Sequence, residues 1–208
     1  MFFLLAFATL LSASALPLDH RPGYRCLPVC DATPRECACP SGTFFMNSTT
    51  WGTYPAPVED LTDIIANYFD TAWFGTTPVE TIGDPFTPGA KRVLIAQLPD
   101  SGKFPFTEEL TTQDWLPDHQ GLIQKYQMAD APFHYNTTSG RPGQLGGTWD
   151  LIDVHAVENG TYMLWNIYAC FSAPYDFAAF HESGMKNISA ILKHEGKMAG
   201  EMDGPYSY

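Results

Sequence analysis

A long β-hairpin constrains this chain more than any other feature. Thr148 to Val157 and Thr161 to Phe171 are runs rich in β-branched and aromatic residues, joined by Glu158-Asn159-Gly160. Asn-Gly favours the tight type I′ turn, whose twist matches that of the strands it joins, so the runs are predicted to pair antiparallel. Two strands cannot bury a face alone; they need further strands and a second layer. That layer is legible directly downstream. Pro174 closes the last strand, and Phe177, Phe180, Gly184, Ile188, Ile191 and Leu192 fall on one stripe of a helix predicted from Tyr175 to about His194. His181, Lys186, Asn187 and Lys193 are assigned mostly to the other, solvent side.

Upstream, Pro57 is placed to open a short helix, with Glu59, Asp60 and Asp63 at its positive N-terminal end and Leu61, Ile64 and Ile65 at helical spacing, followed by Tyr68 or Phe69. Pro85 and Pro88-Gly89 are turn residues, after which Lys91 to Leu98 reads as a strand. Pro99-Asp100-Ser101-Gly102 turns into Phe104 to Thr111, and Leu122 to Met128 forms another strand. Asn136 to Gly147 reads as an extended loop. No internal repeat is present. Short helix, antiparallel strands and a long terminal helix make an α+β fold: a curved antiparallel sheet gripping a long C-terminal helix.

The N-terminal end has a different character. Phe2 to Leu11 is apolar and Ala13-Ser14-Ala15 supplies the small residues a signal peptidase needs, so residues 1–15 are predicted to be a cleaved signal peptide. The run is too short to span a bilayer, and no later run is long or apolar enough. Residues 16–54, rich in Pro, Cys, Gly and Ser, read as an irregular disulfide-linked arm, and residues 55–208 as the folded domain. Cys26, Cys30, Cys37 and Cys39 crowd the arm while Cys170 stands far away. An oxidising compartment favours disulfides over zinc here, and two patterns stay open: two bridges within the arm with Cys170 buried, or one bridge from arm to strand. Asn47, Asn136, Asn159 and Asn187 each open an Asn-x-Ser/Thr triplet, so a secreted glycoprotein is expected. The formal net charge of −12 leaves no basic stripe for a phosphate backbone, which argues against nucleic-acid partners. A monomer or small homo-oligomer is expected.

Pro88-Gly89-Ala90-Lys91-Arg92, the run from Thr107-Glu108-Glu109-Leu110 to Asp114, Gln124-Lys125-Tyr126, and Gly160-Thr161 followed by Trp165 occur in a telling order ahead of the terminal helix. That order resembles the START-like superfamily, the helix-grip fold shared by polyketide cyclase/dehydrase proteins and birch-pollen-allergen-like proteins. The resemblance covers roughly residues 55 to 195. It implies a cavity for an apolar small molecule and, with the signal peptide and cysteine arm as departures, a secreted eukaryotic member of fungal type. A lipocalin-like β-barrel is the alternative fold, suggested by the secreted context and by Gly147-Thr148-Trp149.

No nucleophile elbow, phosphate-binding loop or dinucleotide fingerprint is present, and His181-Glu182 lacks the second histidine of a zincin. No metal and no cofactor are expected. By strand alternation Trp149, Leu151, Asp153 and His155 share one face, and Met163, Trp165, Ile167 and Phe171 another. Trp149, Met163, Trp165, Tyr168 and Phe180 are candidate ligand-binding residues. Asp153 and His155, if inward, could work as general acid and base, with Tyr126 as a further hydrogen-bonding group. If outward they are ordinary surface residues, and the opposite face, Ile152, Val154 and Ala156, is the more uniformly apolar. Glu108 and Glu109 are read as solvated. The implied function is binding of a polyketide or terpenoid. Cofactor-free cyclisation within secondary metabolism, of Diels-Alderase or polyketide-cyclase type, would need no nucleophile. A secreted carrier or effector that only sequesters the molecule is the alternative.

Overall fold

A computed structural model describes residues 38–98 and 100–208. The expected signal peptide and Cys26, Cys30 and Cys37 lie outside the described residues. The hairpin forms as β7 (Pro142–Val157) and β8 (Gly160–Phe171), paired from Val157 opposite Gly160 to Leu145 opposite Phe171. Its turn is not type I′. Among the described residues only Asp118 and His119 combine positive φ with a side chain, so Glu158 and Asn159 keep negative φ and the left-handed backbone falls on Gly160. A Cβ there would lie 2.0 Å from the Tyr54 carbonyl oxygen, which is why glycine occupies that position.

The rest of the sheet is β2 (Glu80–Ile82), β3 (Lys91–Gln97), β4 (Lys103–Trp115), β5 (Gly121–Met128), β6 (Phe133–Asn136), β1 (Phe44–Tyr54) and β9 (Asp203–Ser207). The nine-stranded sheet runs β2-β3-β4-β5-β7-β8-β1-β9, with β6 on the start of β7. It is antiparallel, curved and open, with β2 and β9 at its edges, which rules out the lipocalin-like barrel.

Residues 44–54 are a strand and not part of an irregular arm. β1 pairs with β8 over its full length, Phe44 opposite Phe171 to Tyr54 opposite Thr161. Its polar residues hide the alternation: Ser48, Thr49 and Thr50 are all buried. The expected loop at Asn136 to Gly147 is largely a second hairpin, β6 against the first residues of β7.

Two helices pack on the concave face, α1 (Val58–Ile65) and α2 (Phe177–His194). Asp176 caps α2, its Oδ1 accepting from the Ala179 amide at 2.9 Å. The buried stripe of α2 includes His181 beside Phe177, Gly184, Met185, Ile188, Ser189 and Leu192. This corrects the solvent placement of His181: it lies one turn from Phe177 on the same face. Tyr54, Leu61, Met163, Trp165, Met185 and Ile188 join helices and sheet in one core. Outside it, Cys39 and Cys170 form a disulfide across a sequence separation of 131, the arm-to-strand alternative. Among the described residues no helix is long and apolar enough to cross a membrane.

Candidate functional site

Sheet, α2 and a 3₁₀ turn, Ala72–Phe74, enclose a cavity of about 300 Å³. Strand alternation decides which side chains reach it. Leu94, Met128, Ile167, Phe171, Phe177 and Phe180 make it mostly apolar, and Arg92, Glu108, Tyr126, Thr148, Asp150 and Trp165 bring polar atoms to its wall.

The polar groups are mostly satisfied by one another. Arg92 Nε donates to Glu108 Oε2 at 2.7 Å, Nη2 lies 2.7 Å from the same oxygen, and Nη1 donates to the Tyr68 carbonyl at 2.7 Å. The guanidinium is also ringed by Tyr68, Tyr126 and Phe74, with centroids at 4.1, 4.8 and 5.2 Å. All three nitrogens are thus committed within the protein. Burial opposes the Arg92 charge, and Glu108 restores it.

Asp150 has no cation of its own. Its Oδ1 accepts from Trp165 Nε1 at 3.2 Å, and the Tyr126 phenol stands near the same carboxyl. Burial holds this acid well above the usual carboxylate range, with the nearby Glu108 charge adding to the effect. Burial likewise pushes the Tyr126 and Tyr68 phenols up. Asp150 and Tyr126 therefore hold their protons to higher pH than the same groups in water. Thr148, two residues before Asp150 on the same face of β7, has a buried hydroxyl with no hydrogen-bond partner among the described residues.

Of the residues singled out from sequence, Tyr126, Trp165 and Phe180 line the cavity. Met163 is in the core between sheet and helices. Trp149 and Tyr168 pack beside Cys170 on the opposite, outer face of the sheet. There Gly147 makes room for the Trp149 ring: a Cβ would lie 2.5 Å from it. Asp153 and His155 do pair, Oδ1 to Nδ1 at 3.0 Å, but on that outer face and half-exposed. Parity separates them from the cavity, because Ile152 and Val154 are the buried residues of that stretch. Glu108 is not solvated; it is 7 % exposed and bound to Arg92, while Glu109, half-buried, lies 3.3 Å from Lys91 Nζ. Asn47, Asn136, Asn159 and Asn187 are all exposed.

Arg92, Glu108, Thr148 and Asp150 escaped the sequence-based choice of site residues. Arg92 and Glu108 carried a signal, Arg92 standing in the motif that opens β3 and Glu108 in the motif at the middle of β4. Thr148 and Asp150 carried only parity: they alternate with Trp149 and share the face of Ile152 and Val154, the more uniformly apolar one.

A family model described as START domain matches residues 45–207. No curated protein matches the sequence. Among solved structures, an uncharacterized protein from Rhizobium leguminosarum superposes with a TM-score of 0.51 at 15 % identity, over 73 % of this chain and 97 % of that one. A protein from Nitrosospira multiformis gives 0.50 at 16 % identity, over 73 % and 99 %. Norcoclaurine synthase from Thalictrum flavum, in complex with dopamine and hydroxybenzaldehyde, gives 0.49 at 11 % identity, over 74 % and 89 %. At these identities the likeness concerns the fold.

Proposed function

The chain belongs to the START domain family, and from that premise we propose that its cavity binds an apolar small molecule of polyketide or terpenoid type and rearranges or closes its ring system without a cofactor. One observation carries the reading: a buried carboxyl, Asp150, stands at the wall of a mostly apolar cavity, accepting from Trp165 Nε1 and lacking a salt-bridge partner among the described residues. An acid whose pKa burial raises can lend its proton to a ligand carbonyl oxygen, and the neighbouring phenol can stabilise the charge that develops. The proton returns when the carbon that becomes nucleophilic gives one up, so the product is an isomer of the substrate. The apolar walls supply shape and exclude water.

The Cys39–Cys170 bridge supports work in an oxidising compartment, in keeping with the signal-like N-terminal sequence and the exposed sequons. The test begins with native mass spectrometry of protein purified from its source. A polyketide or terpenoid released on unfolding supports the pocket, and an extract containing it is then incubated with wild type and with Asp150→Asn. Asn keeps the shape and the Trp165 contact but cannot donate the acidic proton, so conversion to an isomer of equal mass is expected to fall by about 100-fold or more, with binding retained. Retained binding with no conversion by wild type would make the protein a carrier. An empty protein that also binds nothing from an apolar extract would sink the pocket reading.

A further inference from the structure

Among the described residues the cavity wall carries one hydroxyl that the fold leaves unpaired, with a carboxyl beside it. Thr148 and Asp150 point the same way from β7, two residues and therefore about 7 Å apart along the strand. The Thr148 hydroxyl is buried with no partner among the described residues, although Thr148 is only 6 % exposed. A buried hydroxyl left unpaired costs free energy, and such a group at a cavity wall is satisfied once a ligand atom arrives. Beside it the Asp150 carboxyl accepts from Trp165 and faces the same space. An oxygen seated between the two lies within reach of both.

The cationic side of the cavity offers nothing comparable. Arg92 spends its Nε and Nη2 on Glu108 and its Nη1 on the Tyr68 carbonyl, and aromatic rings cover it. An anionic ligand would enter a space lined by Glu108 and find no uncommitted cation among the lining residues.

Resting on the pocket reading above, we propose that Thr148 and Asp150 form a two-point handle for a single carbonyl oxygen, so that the cavity selects neutral ketone-bearing ligands and rejects carboxylates of the same shape. The reading names which end of the ligand lies at β7 and excludes fatty-acid-like anions as occupants.

Three flat probes of nearly the same shape separate the contributions: 2-acetylnaphthalene, 2-isopropenylnaphthalene and 2-naphthoate. Equilibrium dialysis at pH 7 against the folded chain is expected to give the ketone roughly fivefold tighter than the hydrocarbon, the fold-change of one or two neutral hydrogen bonds. The carboxylate is expected to bind about tenfold or more weaker than the ketone, because it is buried without a cation. Thr148→Val keeps the shape, removes the hydroxyl and cuts the ketone preference; Thr148→Ser restores it. A ketone preference undiminished in Thr148→Val, a wild type that shows no ketone preference, or naphthoate binding as tightly as the ketone overturns the handle while leaving the pocket. Failure of all three probes to bind wild type overturns the pocket itself and the handle with it.

Discussion

His181 is fully buried, its imidazole stacked on the Trp165 indole with centroids 4.0 Å apart and planes 13° from parallel. Burial pulls its pKa down to about 3, partly offset by the Trp165 backbone, from an ordinary value of 6.5. The folded state thus holds a neutral imidazole where the unfolded chain takes up a proton below pH 6.5. The unfolded state binds more protons between those values, so stability is complete above about 6.5 and falls as pH drops toward 3. Asp150 acts in the opposite sense, since its folded pKa is raised: stability is lost as pH rises above the ordinary carboxylate value of 3.8. In urea titrations from pH 7 to 4, His181→Leu is expected to show a shallower fall in unfolding free energy than wild type. Equal slopes would mean that another group dominates the acid limb. At this scale the sequence was half legible: Arg92 and Glu108 stood in motifs, but the burial of His181 and the pairing of Glu108 depend on what packs against them.

Elements hold one another through single side chains that periodicity does not reveal. Asn187, on the solvent edge of α2, donates its Nδ2 to the Trp73 carbonyl at 2.8 Å and to the Ala72 carbonyl at 3.3 Å. It thereby pins the 3₁₀ turn whose Trp73 and Phe74 rings lie 5.0 and 5.7 Å from Trp165. Asn187→Ala is expected to lower unfolding free energy by about 1–2 kcal/mol, the worth of one or two hydrogen bonds at a partly exposed site, as read by chemical denaturation. No change would mean that the turn is held by its aromatic packing alone. The strands β3, β5, β7 and β8 and helix α2 were legible because their apolar residues keep a period of 2 or 3.6. β1, β6 and β9 were not. β1 buries threonines, β6 is short, and β9 is an edge strand that carries Gly204 and Pro205, both poor strand formers; each is specified by a neighbour's open edge more than by its own pattern.

For the whole molecule the consequential crosslink is Cys39–Cys170, which ties the described N-terminal end to the final residues of β8. A loop closed across a separation of 131 residues constrains the unfolded chain by about 4–5 kcal/mol in the chain-entropy account. Replacing both cysteines, Cys39→Ala with Cys170→Ala, is expected to lower unfolding free energy by about 2–5 kcal/mol, seen as an earlier urea midpoint. An unchanged midpoint would show that β1 pairing holds this end without the bridge. The sequence alone determined the α+β class, the central hairpin, the gripping helix and the acidic character, because these follow from local periodicity, turn residues and composition. It left open which cysteine pairs with Cys170, which face of β7 meets the cavity, and which acid stands uncompensated there. Only the tertiary structure decided those, since a side chain's partner, burial and charge state are set by residues distant in sequence: Asp150 is an unpaired acid because Arg92 is already taken by Glu108.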